Sequence, residues 1–292
     1  MSKDYLISDN LTSQVVPISP NLEQATSIII EQATQLVSSL VKDRGHNRPP
    51  FLSEEYARLL GIKEILKADF EESAVLLRFH DGYVIKVNKN HSLARQNFSC
   101  AHEIGHVLLS ELNLEPCIEE AEFRTFNPQA HTMTRARAKE RLCDAAATEL
   151  LMPETVFKKY LSGFGASINS IGQMANIFRV SIRAAAIRIA EISAEPCIAL
   201  LWLPRPGTKS KALHLAWHIG PGRKLKGKAN YMPVHTLVRY PSKLYKAYQD
   251  DIPVKSSNLF RLDAAVKRLP IESKGFGRGE TRQLISLAFP DR

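Results

Sequence analysis

An α+β fold is predicted for this 292-residue chain by three features of its patterning. Apolar residues recur at helical spacing in three separate stretches, at 29–40, 101–112 and 140–151. Asp81-Gly82 sits between two short apolar runs, which signals a hairpin. Beyond residue 195 the period shortens to two, with Leu213, Leu215, Trp217 and Ile219 alternating with Ala212, His214, Ala216 and His218. The expected order is a mainly helical part with a small sheet over 1–160, a helix pair over 161–194, and a small α/β or mainly β domain over 195–292.

Residues 1–18 read as an irregular lead-in, and Ser19-Pro20 then opens a helix, with serine as cap and proline in the first turn. Ile29, Ala33, Leu36 and Leu40 carry it to about Arg44, where Gly45-His-Asn-Arg-Pro-Pro50 breaks it. Ser53 caps a second helix, Glu54 to Leu60, closed by Gly61. The hairpin spans Ala74 to Asn88, and its free strand edge offers a place to pair an extended peptide.

The next stretch, Phe98-Ser-Cys-Ala-His102-Glu103-Ile-Gly-His106-Val-Leu-Leu, is an H-E-x-x-H segment inside a helical period. Residues four apart on a helix differ by about 40° of rotation and about 6 Å of rise, so the two imidazoles stand side by side as one tetrahedral Zn²⁺ requires. Glu103, one residue on, can reach a water held by that metal. Ala101, Ile104, Leu108 and Leu112 form the opposite, core-facing side.

A catalytic zinc needs a third protein ligand and an open position. Lys139 to Leu151 reads as a helix ended by Pro153, with Glu140, Asp144, Ala147 and Leu151 in one narrow stripe. Glu140 is the expected third ligand, and Asp144, one turn on, is placed to accept a hydrogen bond from a ligating histidine. Glu149, nine residues past Glu140, points to nearly the opposite side. Between the two helices, 111–138 is polar and mixed, and its His131 could donate to an oxyanion, although no motif supports that role.

Ile168 to Ala190 reads as helix, turn, helix, with Val180-Ser181 at the turn and Ser181 as cap. Its second helix offers only Arg183 and Arg188 among alanines and isoleucines, a poor surface for reading bases, so packing is the expected role. Strands follow at Cys197–Leu203, Leu213–Ile219 and Gln283–Phe289. His214 and His218 do not pair on one ion, because four residues along a strand span about 13 Å. Gly275-Phe-Gly-Arg-Gly279 precedes a strand instead of opening a helix, which makes a phosphate cradle a weak reading.

Arg95-Gln-Asn-Phe98-Ser-Cys-Ala-His-Glu-Ile-Gly-His106, followed by Glu140-x-x-Cys-Asp144 and Glu-Leu-Leu-Met-Pro153, resembles the ImmA/IrrE family of metallopeptidases. The resemblance is specific over about residues 50–160 and faint beyond 192. It implies a zincin-like peptidase domain in a zinc enzyme that cleaves helix-turn-helix repressors in bacterial regulation or stress response. It also implies metal ligands at His102 and His106, a third at the carboxylate of the second motif, and a general base at Glu103. Some relatives carry a GAF-like sensing domain after the helix pair. Two departures stand out: Ala146-Ala147 replaces the usual Phe-Ala, and Ser110 stands where a histidine is common.

Charge divides the chain. From Glu195 onward there are 18 basic and 7 acidic residues, a local balance of +11, against 21 and 23, or −2, before it. A basic C-terminal part, including the run Gly222 to Lys228, raises nucleic acid as a possible partner, with a solubilising surface as the alternative. The start Met-Ser-Lys-Asp-Tyr has no apolar signal core, and the longest apolar run, Cys197–Leu203, is too short to span a bilayer. The four cysteines, at 100, 117, 143 and 197, show no paired spacing and fit reduced thiols in a cytoplasmic protein, with Cys100 and Cys143 as packing residues. The competing functional class is a non-enzymatic transcriptional regulator that binds nucleic acid and uses zinc structurally. Glu103 argues against it, because a structural site has no use for a base beside the metal.

Overall fold

The computed structural model describes residues 20–45, 47–114, 134–204, 212–220, 232–262 and 265–292. His46, Cys117, His131, the lead-in and the basic run Gly222 to Lys228 lie outside them. The fold is α+β, with eight α-helices and two sheets among the described residues.

Helix α1 (Leu22–Arg44) starts two residues later than Ser19-Pro20 suggested. Asn21 is the cap: its Oδ1 accepts from Gln24 N, and Gln24 Oε1 accepts from Asn21 N. That reciprocal pair satisfies two otherwise orphaned donors. Gly45, at φ 71°, closes the helix by donating to Val41 O. Helix α2 (Ser53–Leu59) begins at Ser53 rather than after it. Ser53 N donates to Asn97 Oδ1 and Leu52 N to the Glu55 carboxylate, so neighbouring side chains do the capping.

Strands β1 (Glu64–Ala68), β2 (Ala74–Phe79) and β3 (Gly82–Asn88) form a sheet in the order β1-β3-β2. The hairpin is present, but Phe79 pairs with Gly82, so its two loop residues are His80 and Asp81. Strand β1 runs parallel to β3 and escaped the sequence reading, its five residues carrying no clean alternation. Strand β2 is left as an edge.

Helices α3 (Leu93–Glu111) and α4 (Arg135–Leu151) cross against one another, and α1 packs on α4. Helix α5 (Glu154–Phe164), capped by Pro153, leads into the pair α6 (Ile168–Phe178) and α7 (Ile182–Ile192). Ser181 caps α7, and Arg179 makes the turn at φ 52°.

The second sheet has seven strands in the order β6-β8-β9-β10-β4-β5-β7. They are β4 (Ile198–Pro204), β5 (Ala212–Ile219), β6 (Met232–Pro233), β7 (Leu237–Arg239), β8 (Val254–Leu262), β9 (Ala265–Phe276) and β10 (Gln283–Ala288). Helix α8 (Lys243–Asp250) lies between β7 and β8 in the chain. Strand β4 is buried on both faces, which explains its unbroken apolar run. Ala199 and Leu201 join the core that runs from α1 through α7, whereas Ile198, Leu200 and Trp202 join a second core with Tyr245 and Ala247 of α8.

The arginines of α7 are used inside the molecule. Arg188 is buried, pairing with Glu149 and donating to Met152 O, and Arg183 Nε donates to Gln283 Oε1 of β10. The glycine run before β10 is likewise structural. A Cβ at Gly275 would meet Tyr248 O at 2.7 Å and Ala247 O at 2.9 Å, so only glycine lets β9 pass this close to α8. No helix among the described residues is long and apolar enough to cross a membrane.

Candidate metal centre

The H-E-x-x-H segment occupies the middle of α3, capped by Ser92, whose side chain accepts from Arg95 N. Ala101, Ile104 and Leu108 are fully buried on one side, leaving His102 and His106 on a partly open side with ring centroids 5.1 Å apart. Across from them, α4 presents Glu140 and Asp144, both more than half exposed. Ala147 and Leu151, further along the same stripe, are buried, so one helical face passes from cleft to core.

Gly105 sets the distance between the two helices. A Cβ there would lie 2.9 Å from Cys143 Cα and 3.1 Å from both Cys143 Cβ and O. Glycine thus lets the backbones touch where the histidines and carboxylates face each other. The sequence reading missed this role, though a glycine between two metal-type histidines was a visible signal.

His102 Nδ1 lies 2.9 Å from Asp144 Oδ1, His102 Nε2 lies 3.1 Å from Glu140 Oε2, and His106 Nε2 lies 3.6 Å from Glu140 Oε1. Ligand atoms held about 2.0–2.2 Å from a tetrahedral ion are about 3.3–3.6 Å apart. Each Nε2 lies close to that distance from one oxygen of the Glu140 carboxylate. A proton on Nδ1 donated to Asp144 would leave Nε2, on the Glu140 side, free to ligate.

A second grouping is present: donor atoms of His102, His106 and Cys143 lie within 4.8 Å of one another. Cys143 is fully buried in the helix contact, and burial, reinforced by the charges of Glu140, Glu103 and Asp144, raises its thiol pKa. The Glu140 carboxylate, by contrast, is more than half exposed on the open side that the two imidazoles share. Glu149, the other carboxylate of α4, is turned away: it accepts from Glu154 N at 3.0 Å and pairs with Arg188.

Electrostatics separate the two imidazoles. Burial pulls His102 down, but the hydrogen bond and charge of Asp144, with Glu103 and Glu140, outweigh it and raise its pKa. Burial and the charge of His102 lower His106 against the opposing pull of Glu140. Burial raises Glu103, against the lowering effects of His102 and a hydrogen bond from the backbone of Leu76. A carboxylate shifted upward in this way is suited to holding a proton in transit.

That Leu76 contact ties the site to the edge of β2. Asn88 N donates to Ser73 O, so residue 73 faces β3. By the alternation of an antiparallel ladder, 74, 76 and 78 turn their backbone groups outward. The unpaired edge of β2 therefore runs past Glu103.

Residues 60–190 match the family model of the IrrE N-terminal-like domain, Peptidase_M78. The chain is 30% identical over 130 residues to the radiation response metalloprotease IrrE of Deinococcus radiodurans, a match covering 44% of this chain and 37% of that protein. It is 29% identical over 116 residues to the protein of the same name from Deinococcus deserti, covering 40% of this chain and 39% of that one. The matched segments thus span well under half the length of either relative. Among solved structures, a Mycobacterium tuberculosis transcriptional regulator superposes with a TM-score of 0.54 at 13% identity, over 94% of this chain and 81% of that one. That likeness is one of fold. Residues 60–190, just under half of the chain, thus resemble the N-terminal domain of the IrrE-type metallopeptidases.

Proposed function

We propose that the chain is a zinc-dependent endopeptidase acting on a protein substrate, with His102, His106 and Glu140 as metal ligands and Glu103 as general base. The convergence of both Nε2 atoms on the Glu140 carboxylate, with Glu103 beside them, carries this reading. When bound there, Zn²⁺ supplies a Lewis acid for the scissile carbonyl and a water of lowered pKa. Glu103 would serve as the base that takes a proton from the attacking water and passes it to the leaving amine nitrogen. Asp144 holds His102 in the tautomer that leaves Nε2 free. An extended peptide lies along β2, bonding to the outward backbone groups of residues 74, 76 and 78. The fully buried thiols of Cys100, Cys143 and Cys197 suit a reducing, cytoplasmic setting.

The substrate class proposed is a helix-turn-helix transcriptional repressor, on the strength of the resemblance over residues 60–190. The alternative, a non-enzymatic nucleic-acid-binding regulator, loses support because Arg188 is buried and Arg183 is engaged with β10. The test is to incubate the purified protein with the repressor encoded beside it, with and without chelator. Cleavage that disappears with chelator and in Glu103→Gln is expected. Cleavage that survives both changes would overturn the reading.

A further inference from the structure

The edge strand beside the metal centre breaks the alternation expected of it. A sheet covered on one face and open on the other reads apolar inward and polar outward. Strand β2, Ala74-Val-Leu-Leu-Arg-Phe79, instead carries Ala74 and Leu76 on one face and Val75, Leu77 and Phe79 on the other. Ala74 and Leu76 pack on the core that includes Cys100 and Ile104 of α3, so theirs is the inner face. Val75, Leu77 and Phe79 belong to neither core; the first two are half-buried and Phe79 is 52% exposed.

The strand register fixes what surrounds them. Leu77 stands opposite Val84 of β3, and Phe79 lies two residues along on the same face. Glu64 of β1 is paired to the far side of Val84, two strands and about 9–10 Å from Leu77. Val75 stands opposite Lys86, whose Nζ is drawn over the Phe70 ring at 4.7 Å. The outer face of β2 is therefore most apolar around Leu77. Contiguous apolar surface on a solvated face marks an interaction site.

This face is continuous with the edge that passes the metal centre. Helix α3 runs beside β2 in the same direction: Arg95 Nη2 donates to Ser73 Oγ at 2.9 Å, and further along both elements Glu103 accepts from the backbone of Leu76. A strand added at the edge turns alternate side chains to the two faces, in step with its neighbour, whichever way it runs. Its residue beside Leu76 points inward, to the cleft of Glu103 and the histidines. The residues on either side point outward, against Val75 and Leu77. The backbone groups of 75 and 77 are turned to β3. In antiparallel pairing the outward residues thus form the non-hydrogen-bonded pairs, where side chains come closest.

We infer that the edge of β2 selects extended segments of the form apolar–x–apolar, in which x sits beside Leu76 next to the bond that is cut and the two apolar side chains cover Val75 and Leu77. The demand is stronger beside Leu77, with Val84 and Phe79 on its face, than beside Val75, with Lys86 opposite. This rests on the peptidase reading and on peptide pairing along β2, and adds to them which side chains the substrate must carry.

The probe is the peptide mixture from a trypsin digest of a bacterial lysate, with its amines blocked. New amino termini released by the zinc-loaded protein are read by mass spectrometry. In parallel, the mixture is passed over immobilised Glu103→Gln protein and the retained peptides are sequenced. Both sets should show Leu, Ile, Val or Phe at two positions flanking one free position. Leu77→Lys should shift one of the two toward Asp or Glu by about fivefold, the scale of one cross-strand pair, and leave the other as it was. Leu77→Thr, which suits a strand, should flatten that same position without favouring acids. Circular dichroism and zinc content verify that both variants fold. Cleavage without the pattern, or a pattern that Leu77→Lys leaves unchanged, would overturn the inference while the peptidase reading stands. Retention of the pattern without cleavage would do the reverse, and neither cleavage nor retention would overturn both. A protein that sediments as a dimer, and as a monomer after Leu77→Lys, would assign the face to a second copy and overturn the inference.

Discussion

Replacing Arg188 with methionine tests whether the α4–α7 contact is a structural tie distinct from the metal centre. The Arg188 and Glu149 side chains are 7% and 4% exposed, and Arg188 also donates to Met152 O through both Nε and Nη2. Methionine preserves much of the volume but leaves the Glu149 carboxylate facing the core. Its remaining partners are Glu154 N at 3.0 Å and Thr34 Oγ1 at 3.4 Å. Breaking a buried pair by removing one partner costs about 3–5 kcal/mol. At about 2–4 °C per kcal/mol for chains of 150–250 residues, Tm should fall by about 6–20 °C. The double variant Arg188→Met with Glu149→Leu should recover most of that loss, because no unpaired charge remains. Reversible urea denaturation and thermal scans of the four proteins measure this, and zinc content should stay the same throughout. A loss below about 1 kcal/mol in Arg188→Met, within the range of a surface pair, would refute the argument. So would a double variant no more stable than the single one.

Three further predictions bear on the centre. The protein should purify with about one zinc per chain; His106→Ala should lose it, whereas Glu103→Gln should retain it and lose hydrolysis, as metal analysis and a peptidase assay would show. Glu140→Ala should weaken zinc binding steeply and Glu149→Ala hardly at all, with Asp144→Ala between them at about 10- to 100-fold; competition with a chromogenic chelator ranks them, and the reverse order for the two glutamates would sink the ligand assignment. Gly105→Ala should destabilise the fold by about 1–3 kcal/mol, because its Cβ would meet Cys143 Cα at 2.9 Å; a neutral result in denaturation would show that α3 and α4 separate freely.

Local periodicity made much of this protein readable in advance. Helix period placed α3 and α4 and the stripe of Glu140 and Asp144, because the side chains concerned sit on one rigid element with fixed geometry. The same logic located the α6–α7 turn, and an unbroken apolar run located β4. Where local rules compete, the reading slipped by one or two residues. Asn21 took the α1 cap from Ser19, since its bond with Gln24 satisfies two donors at once. The hairpin loop closed at His80-Asp81, where strand pairing sets the register.

By itself, then, the sequence determined the resemblance over residues 60–190, the α+β class and the residues that form each face of α3 and α4. Only the tertiary structure decided how those faces meet. Gly105 lets α3 and α4 approach to backbone contact, and the free edge of β2 passes its Leu76 backbone to Glu103. Arg188 turns inward to Glu149 instead of outward to solvent, and the α6–α7 turn closes a cavity with α3. Each of these depends on groups dozens of residues apart in the chain, and no spacing rule links them. Their partners are set by packing and burial, which exist only once the chain has folded.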